Sequence, residues 1–91
     1  MPELIWKGKA LRNLDKFPRN VGDDLAEKIE ELKKWPNIQH LKVEKLTDDK
    51  EKRHKLVIGH YRVLWKIIKG QPVVIEIHDV LRRTSTTYSK R

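Results

Sequence analysis

The stretch KRHKLVIGHYRVLWK, residues 52–66, sets Arg53, Lys55 and Arg62 around a Gly-His pair. A guanidinium offers a planar fork of donors that matches phosphate or carboxylate oxygens and never loses its charge, and an ammonium adds a compact point charge. The chemistry such a set supports is the capture and stabilisation of an oxyanion. Arg82, Arg83 and Tyr88 extend the supply of suitable side chains toward the C-terminus. Other chemistries have less material. With no cysteine in the chain, thiolate catalysis, disulfides and cysteine-based zinc sites are excluded. His40, His54, His60 and His78 show no metal-ligand spacing, so surface histidines are the default, with His78 kept as a functional candidate.

Lys and Arg outnumber Asp and Glu by 21 to 13, giving a net charge of +8. A polyanion is the expected partner, and nucleic acid, an anionic membrane and an acidic protein satisfy charge alone equally well. Hydrophobic and charged residues each make up 37% of the 91 residues, a balance that folds and stays soluble. The length implies one domain, 1–91, with one small core. The first residues lack the apolar region of a secretory signal, and no run approaches the roughly 18 apolar residues of a membrane span. A cytoplasmic protein with no membrane association is expected.

These residues need elements to hold them. ELIWK reads as an edge strand leading into a helix. Ala10, Leu11, Leu14 and Phe17 fall at helical spacing, and Pro18 forces a stop near Phe17. A second helix follows, with Asn20 as its cap, Asp23 and Asp24 at its positive end, Val21, Leu25, Ile29 and Leu32 as its buried stripe, and Trp35-Pro36 as its end. The two form a hairpin whose apolar faces need a sheet to cover. HLKVEKL alternates as a strand and TDDKEK reads as a solvated loop. Three strand-like runs follow, divided by Gly59-His60 and by KGQP.

Gly at the first central position suits a two-residue type II′ hairpin. That turn pairs Ile58 with Tyr61, Val57 with Arg62, Leu56 with Val63, Lys55 with Leu64 and Arg53 with Lys66. Cross-strand partners share a face, so Leu56, Ile58, Tyr61, Val63 and Trp65 form an apolar face. Arg53, Lys55, Val57, Arg62, Leu64 and Lys66 form the other. A three-residue loop in KGQP would then set Val63 opposite Ile77, Trp65 opposite Ile75, Arg62 opposite His78 and Leu64 opposite Glu76, bringing an imidazole to the basic face. Lys and Arg are ordinary on the wet face of a sheet and discourage edge aggregation. As a set they are less ordinary, because like charges on neighbouring strands repel and only Glu76 is expected nearby to offset them. Trp65 is expected in the core.

This order of elements resembles the RelE/ParE superfamily of small bacterial toxins over nearly the whole chain. The similarity is more specific around KRHKLVIGHYRVLWKI and LRRTSTTY. A basic residue, one intervening position and a lysine, then Y-R-V, then a late arginine and tyrosine, is similar to the active-site pattern of RelE-type messenger-RNA endonucleases. The resemblance implies an α+β fold with an N-terminal strand, a helix hairpin and a twisted, mainly antiparallel sheet of about four strands. It also implies cleavage of messenger RNA in the ribosomal A site, without metal or other cofactor, and a cognate antitoxin covering the basic face. Arg53 and Lys55 match its two basic positions, Arg62 the arginine of its Y-R, and Arg82 and Tyr88 its late arginine and tyrosine. Arg53 stands where a lysine would be expected, keeping charge but not the capacity to lose a proton. Val80 and Leu81 replace a Gly followed by His or Lys, and His78 is a substitute for the acid or base lost there.

Metal-free RNA cleavage requires activating a 2′-hydroxyl, stabilising a pentacoordinate phosphate and protonating the departing 5′-oxygen. Arg62, supported by Arg53, suits the charge stabilisation. Lys55, crowded by like charges that favour loss of its proton, and Tyr88 are both candidates for the base. Arg82 assists the leaving group or clamps a phosphate, and Lys66, His78 and Arg83 are assigned as RNA contacts. Two rivals stand beside this reading: a ParE-type inhibitor of DNA gyrase, separable by supercoiling against RNA cleavage assays, and a non-catalytic basic module that only binds RNA or a partner protein.

Overall fold

The N-terminal strand leads directly into the helix pair. In the computed structural model, which describes residues 1–83, strand β1 (Glu3–Trp6) is followed at once by helix α1 (Gly8–Asp15) and helix α2 (Arg19–Glu30). A 3-10 turn (Glu31–Lys34) continues α2. Strands β2 (Lys42–Lys45), β3 (His54–Ile58), β4 (Tyr61–Ile68) and β5 (Val74–Arg82) complete the order. The sheet has five strands in the order β1-β5-β4-β3-β2. The expected four-stranded antiparallel part is β2 to β5, and β1 joins it in parallel beside β5, pairing Leu4 with Ile75 and Trp6 with Ile77.

α1 ends where Pro18 dictates: the N–H of Lys16 turns back to the carbonyl of Asn13 and that of Phe17 to the carbonyl of Leu14, and the chain then runs extended. α2 begins two residues earlier than its sequence signals suggest. Pro18, not Asn20, occupies the cap position, and its carbonyl accepts from Gly22 N–H at 2.9 Å. Asn20 lies inside the first turn. The fixed φ of proline makes it a good entry to a helix, although it brings no side-chain cap.

Ala10, Leu25, Ile29 and Leu32 from the helical layer pack on Leu56, Val63, Trp65, Ile75, Ile77 and Val80 from the sheet. All ten are essentially inaccessible. Phe17 meets Tyr61 edge-on at 5.1 Å between ring centroids. Trp65 is core, as expected. The helical layer thus claims one face of the sheet and leaves the other, where Lys55, Arg62 and Lys66 alternate with Val57 and Leu64, uncovered.

The β3–β4 hairpin has the expected register, from Ile58 opposite Tyr61 to Lys55 opposite Leu64. Gly59 has φ +57° while His60 stays at negative φ, as a type II′ turn requires. The paired strand opens at His54, so Arg53 lies just outside it, in the β2–β3 loop.

The β4–β5 hairpin differs from expectation. Trp65 pairs with Ile77, Lys66 with Glu76, Ile67 with Ile75 and Ile68 with Val74, so the loop spans residues 69–73. Pro72 has no N–H to give to a ladder, and the longer loop keeps it out. The slip is by two residues, which preserves the pleat, and Ile75 and Ile77 keep the core face. A bulge between Leu64 and Trp65 then passes over His78. Beyond it Leu64 pairs with Asp79, Val63 with Val80, Arg62 with Leu81 and Tyr61 with Arg82. Val63, Trp65, Arg62 and Leu64 therefore face Val80, Ile77, Leu81 and Asp79, in place of Ile77, Ile75, His78 and Glu76.

Candidate active site

The open face of the sheet is built from alternate residues of β3, β4 and β5, and beside the β3–β4 turn it carries Arg62. β4 positions it opposite Val57 and Leu81. Its Nη1 donates to the carbonyls of Gly59 and Tyr61, each at 2.9 Å. The tight turn thus does two things: it sets the register and aims a carbonyl at the guanidinium. Among the described residues no carboxylate pairs with Arg62. Two neutral carbonyls orient it without cancelling its charge.

The other two cations of the hairpin are matched by acids. Lys55 Nζ lies 3.2 Å from Glu44 Oε1, its direct partner across β2–β3. Arg53 is held at one edge by Asp49, with Nε donating to Oδ2 at 3.1 Å and Nη2 to Oδ1 at 2.9 Å, and its backbone N–H also donates to Oδ2 at 2.9 Å. These bonds, side-chain first and then backbone, hold the Asp49 carboxyl down at about 2 and raise the Arg53 guanidinium above its ordinary value. Asp49 and Glu51 are thus not merely a solvated loop. The expectation that Glu76 alone offsets the basic set fails, because β2 and its loop bring Glu44, Asp49 and Glu51 to the same face.

His78 reaches this face as expected, by way of the bulge and not by pairing with Arg62. Its Nε2 is 2.9 Å from Glu76 Oε1 and its Nδ1 is 3.6 Å from Glu51 Oε1. The hydrogen bond from His78, with the charges of Lys7, His78 and Lys66, outweighs burial and holds the Glu76 carboxyl below the usual range. Lys66 stands opposite Glu76 across β4–β5.

Asp79, beside His78, is 5% exposed. It accepts from Asn13 Nδ2 at 2.6 Å and from Val80 N–H, with Lys9 Nζ at 3.3 Å. Nothing in the local pattern marked this residue: its burial depends on a bulge and on α1 passing the end of β5.

Arg82 ends β5, exposed and opposite Tyr61. Since cross-strand partners share a face, the bulge assigns it to the Tyr61 side and puts Leu81 level with Arg62. Only the strand end brings Arg82 toward the hairpin turn. Arg83 follows, exposed, with its N–H donating to the carbonyl of His60 at 2.7 Å. Tyr88 lies outside the described residues. His54 is on the opposite face, stacked on Trp65 at 4.7 Å, and burial, with Lys45 adding, pushes its imidazole down.

Among the described residues, no group of three or more His, Asp or Glu side chains is arranged to hold a metal ion, and no helix is long and apolar enough to cross a membrane. The arrangement can bind and polarise an oxyanion at Arg62, beside Lys55 on the neighbouring strand, with Lys66 and Arg53 toward the other end of the hairpin.

Solved structures share this architecture. The isolated RelE toxin of Escherichia coli matches 99% of this chain and 94% of its own at 24% identity, with a TM-score of 0.72. The RelE–RelB complex of Pyrococcus horikoshii matches 92% of this chain and 97% of its own at 19% identity and a TM-score of 0.72. A RelBE toxin–antitoxin complex of Mycobacterium tuberculosis matches 91% of this chain and the whole of its own at 21% identity and a TM-score of 0.73. No family model matches the chain, and no curated protein matches it in sequence. The chain has the RelE-like fold.

Proposed function

We propose that this protein is the toxin of a toxin–antitoxin system and a ribosome-dependent endoribonuclease that cleaves messenger RNA in the ribosomal A site, inhibiting translation in the cytoplasm. The observation that carries this reading is Arg62: a guanidinium fixed by two backbone carbonyls, without a carboxylate partner among the described residues, on the sheet face that the helices leave open. An arginine held this way is preorganised for a phosphate that gains negative charge, the largest electrostatic demand of the reaction.

In the reaction, a base removes the 2′-hydroxyl proton and the resulting oxygen attacks the adjacent phosphorus. The bond to the 5′-oxygen then breaks, and that oxygen takes up a proton. Arg62 stabilises the pentacoordinate phosphate, with Arg53 supporting. Lys55 or Tyr88 serves as base, and Arg82 steadies the leaving group or a neighbouring phosphate. Lys66, His78 and Arg83 bind the flanking RNA. No cofactor takes part. A site with so few ordinary acids and bases depends on the ribosome to position the substrate. The similar solved structures include complexes with RelB, which supports a cognate antitoxin as partner, complementary to a charge of +8.

One observation favours a second reading, a basic module that grips RNA without cutting it. Lys55 and Arg53 are each engaged by a carboxylate, Glu44 and Asp49. Mapping messenger-RNA ends in a translating extract, with and without the protein and with Arg62→Ala as control, separates the two. New ends at ribosome-protected positions that vanish with Arg62→Ala support the nuclease. Salt-sensitive RNA binding with no new ends supports the module.

A further inference from the structure

Arg53 and His78 are each fastened at one edge and open at the other. Asp49, 14% exposed, takes the Nε and Nη2 edge of Arg53, and Glu76, 18% exposed, takes Nε2 of His78. The remaining edges, Nη1 of Arg53 and Nδ1 of His78, point at one carboxylate, that of Glu51, at 3.9 and 3.6 Å. Glu51 differs from the other two acids: it is 55% exposed, carried on the β2–β3 loop, and at neither contact within hydrogen-bonding distance. Two well-anchored donors therefore converge on a spot occupied by a loosely held oxyanion of the protein's own.

We infer that Arg53 and His78 form a phosphodiester-binding subsite, and that Glu51 is an internal stand-in for phosphate which the RNA backbone displaces. This deepens the nuclease reading and rests on it for the choice of ligand. As an imidazolium, His78 donates from both nitrogens, so it keeps Glu76 while offering Nδ1–H to a phosphate oxygen. The Nη1 group of Arg53 offers the other donor, and together they bracket one phosphate as they now bracket one carboxylate. Asp49 and Glu76 are the positioning residues: they spend one edge of each donor to fix the direction of the other. Lys66, opposite Glu76, supplies the next cation along the face, and Asp79, which adds to the field on Arg53, is engaged by Asn13 and Lys9. Glu51 thus lowers affinity for any polyanion that does not compete well for both donors.

The test uses a fluorescein-labelled 2′-O-methyl oligoribonucleotide, which cannot be cleaved by its own 2′-oxygen, titrated with the full chain at fixed salt. Glu51→Gln is expected to tighten binding about two- to fivefold, the range that partly exposed ion pairs span. His78→Gln is expected to weaken it and to abolish the gain from Glu51→Gln in the double variant. Glu27→Gln, an exposed change of equal charge on α2, controls for net charge and should leave affinity close to wild type. An equal gain from Glu51→Gln with or without His78, a gain matched by Glu27→Gln, or no binding at all overturns the subsite. Messenger-RNA end mapping with the same proteins keeps the two readings apart. Cleavage without a His78-dependent gain sinks the subsite alone, and the gain without cleavage sinks the nuclease alone while the phosphate subsite stands.

Discussion

Single residues on the open face divide by the company they keep. Arg62 is oriented by carbonyls and keeps its full charge, whereas Arg53 and Lys55 are charged groups already in ion pairs. Replacing Arg62 by Ala should therefore cut messenger-RNA cleavage by roughly 10²–10³-fold, as loss of a transition-state donor does, with thermal stability little changed. Quantitative end mapping reads the first and a melt the second. Asp49 offers a pH test. Its carboxyl is lowered in the folded protein from an ordinary 3.8 to about 2, so the pairing stabilises the fold above the unfolded value. That contribution is lost as pH falls through about 2. The melting temperature of wild type should exceed that of Asp49→Asn at pH 5, and the gap should shrink steadily between pH 4 and pH 2. A gap independent of pH would show that Arg53 does not hold Asp49 ionised.

Among the elements, the β3–β4 hairpin does the most, since one turn sets both the pleat and the anchor of Arg62. Gly59 takes φ +57°, and a Cβ there would meet open space. Gly59→Ala should thus cost only the backbone penalty of a left-handed residue, about 1–2 kcal/mol in urea unfolding. If the turn re-forms with another geometry, the Gly59 carbonyl leaves Arg62, and cleavage should fall more than stability does. This hairpin was legible in advance because Gly-His between two alternating runs admits few registers, and a slip of one would bury charge. The β4–β5 hairpin was not. A two-residue slip keeps every apolar residue inside, so the apolar pattern cannot distinguish it from the expected register, and the bulge at His78 leaves no mark in local spacing. Arg82 shows the consequence: counted from Glu76 without a bulge it falls on the basic face, and with the bulge it pairs with Tyr61.

For the whole molecule, the net charge of +8 overstates what the open face presents, because Glu44, Asp49, Glu51, Glu76 and Asp79 lie among its cations. Affinity for RNA should then follow the few cations that reach phosphates. If Arg62, Lys55, Lys66 and the Arg53–His78 pair each neutralise one, log affinity should fall with log salt at a slope of about −3, each contact contributing about 0.7 for a single strand. Arg62→Ala should lower that slope by about 0.7. Titrations of the 2′-O-methyl oligonucleotide between about 50 and about 200 mM salt measure both. A slope near that of the full +8 would mean that binding is spread over the surface and has no defined site.

Residue types and their local order were sufficient for the α+β class, the helix stripe, the two faces of the first hairpin and the place of Arg62, since each follows from periodicity or from one turn. Periodicity records which side of an element is apolar, and a tight turn fixes its own register. Which acid meets which base was beyond that reach. Glu44 beside Lys55, Glu51 against His78 and Asn13 on Asp79 arise where a strand, loop or helix from elsewhere in the chain folds against the sheet, and Asp49, four residues before Arg53, meets it only because the loop doubles back. Those contacts depend on distance in space, and only the packed tertiary structure sets it.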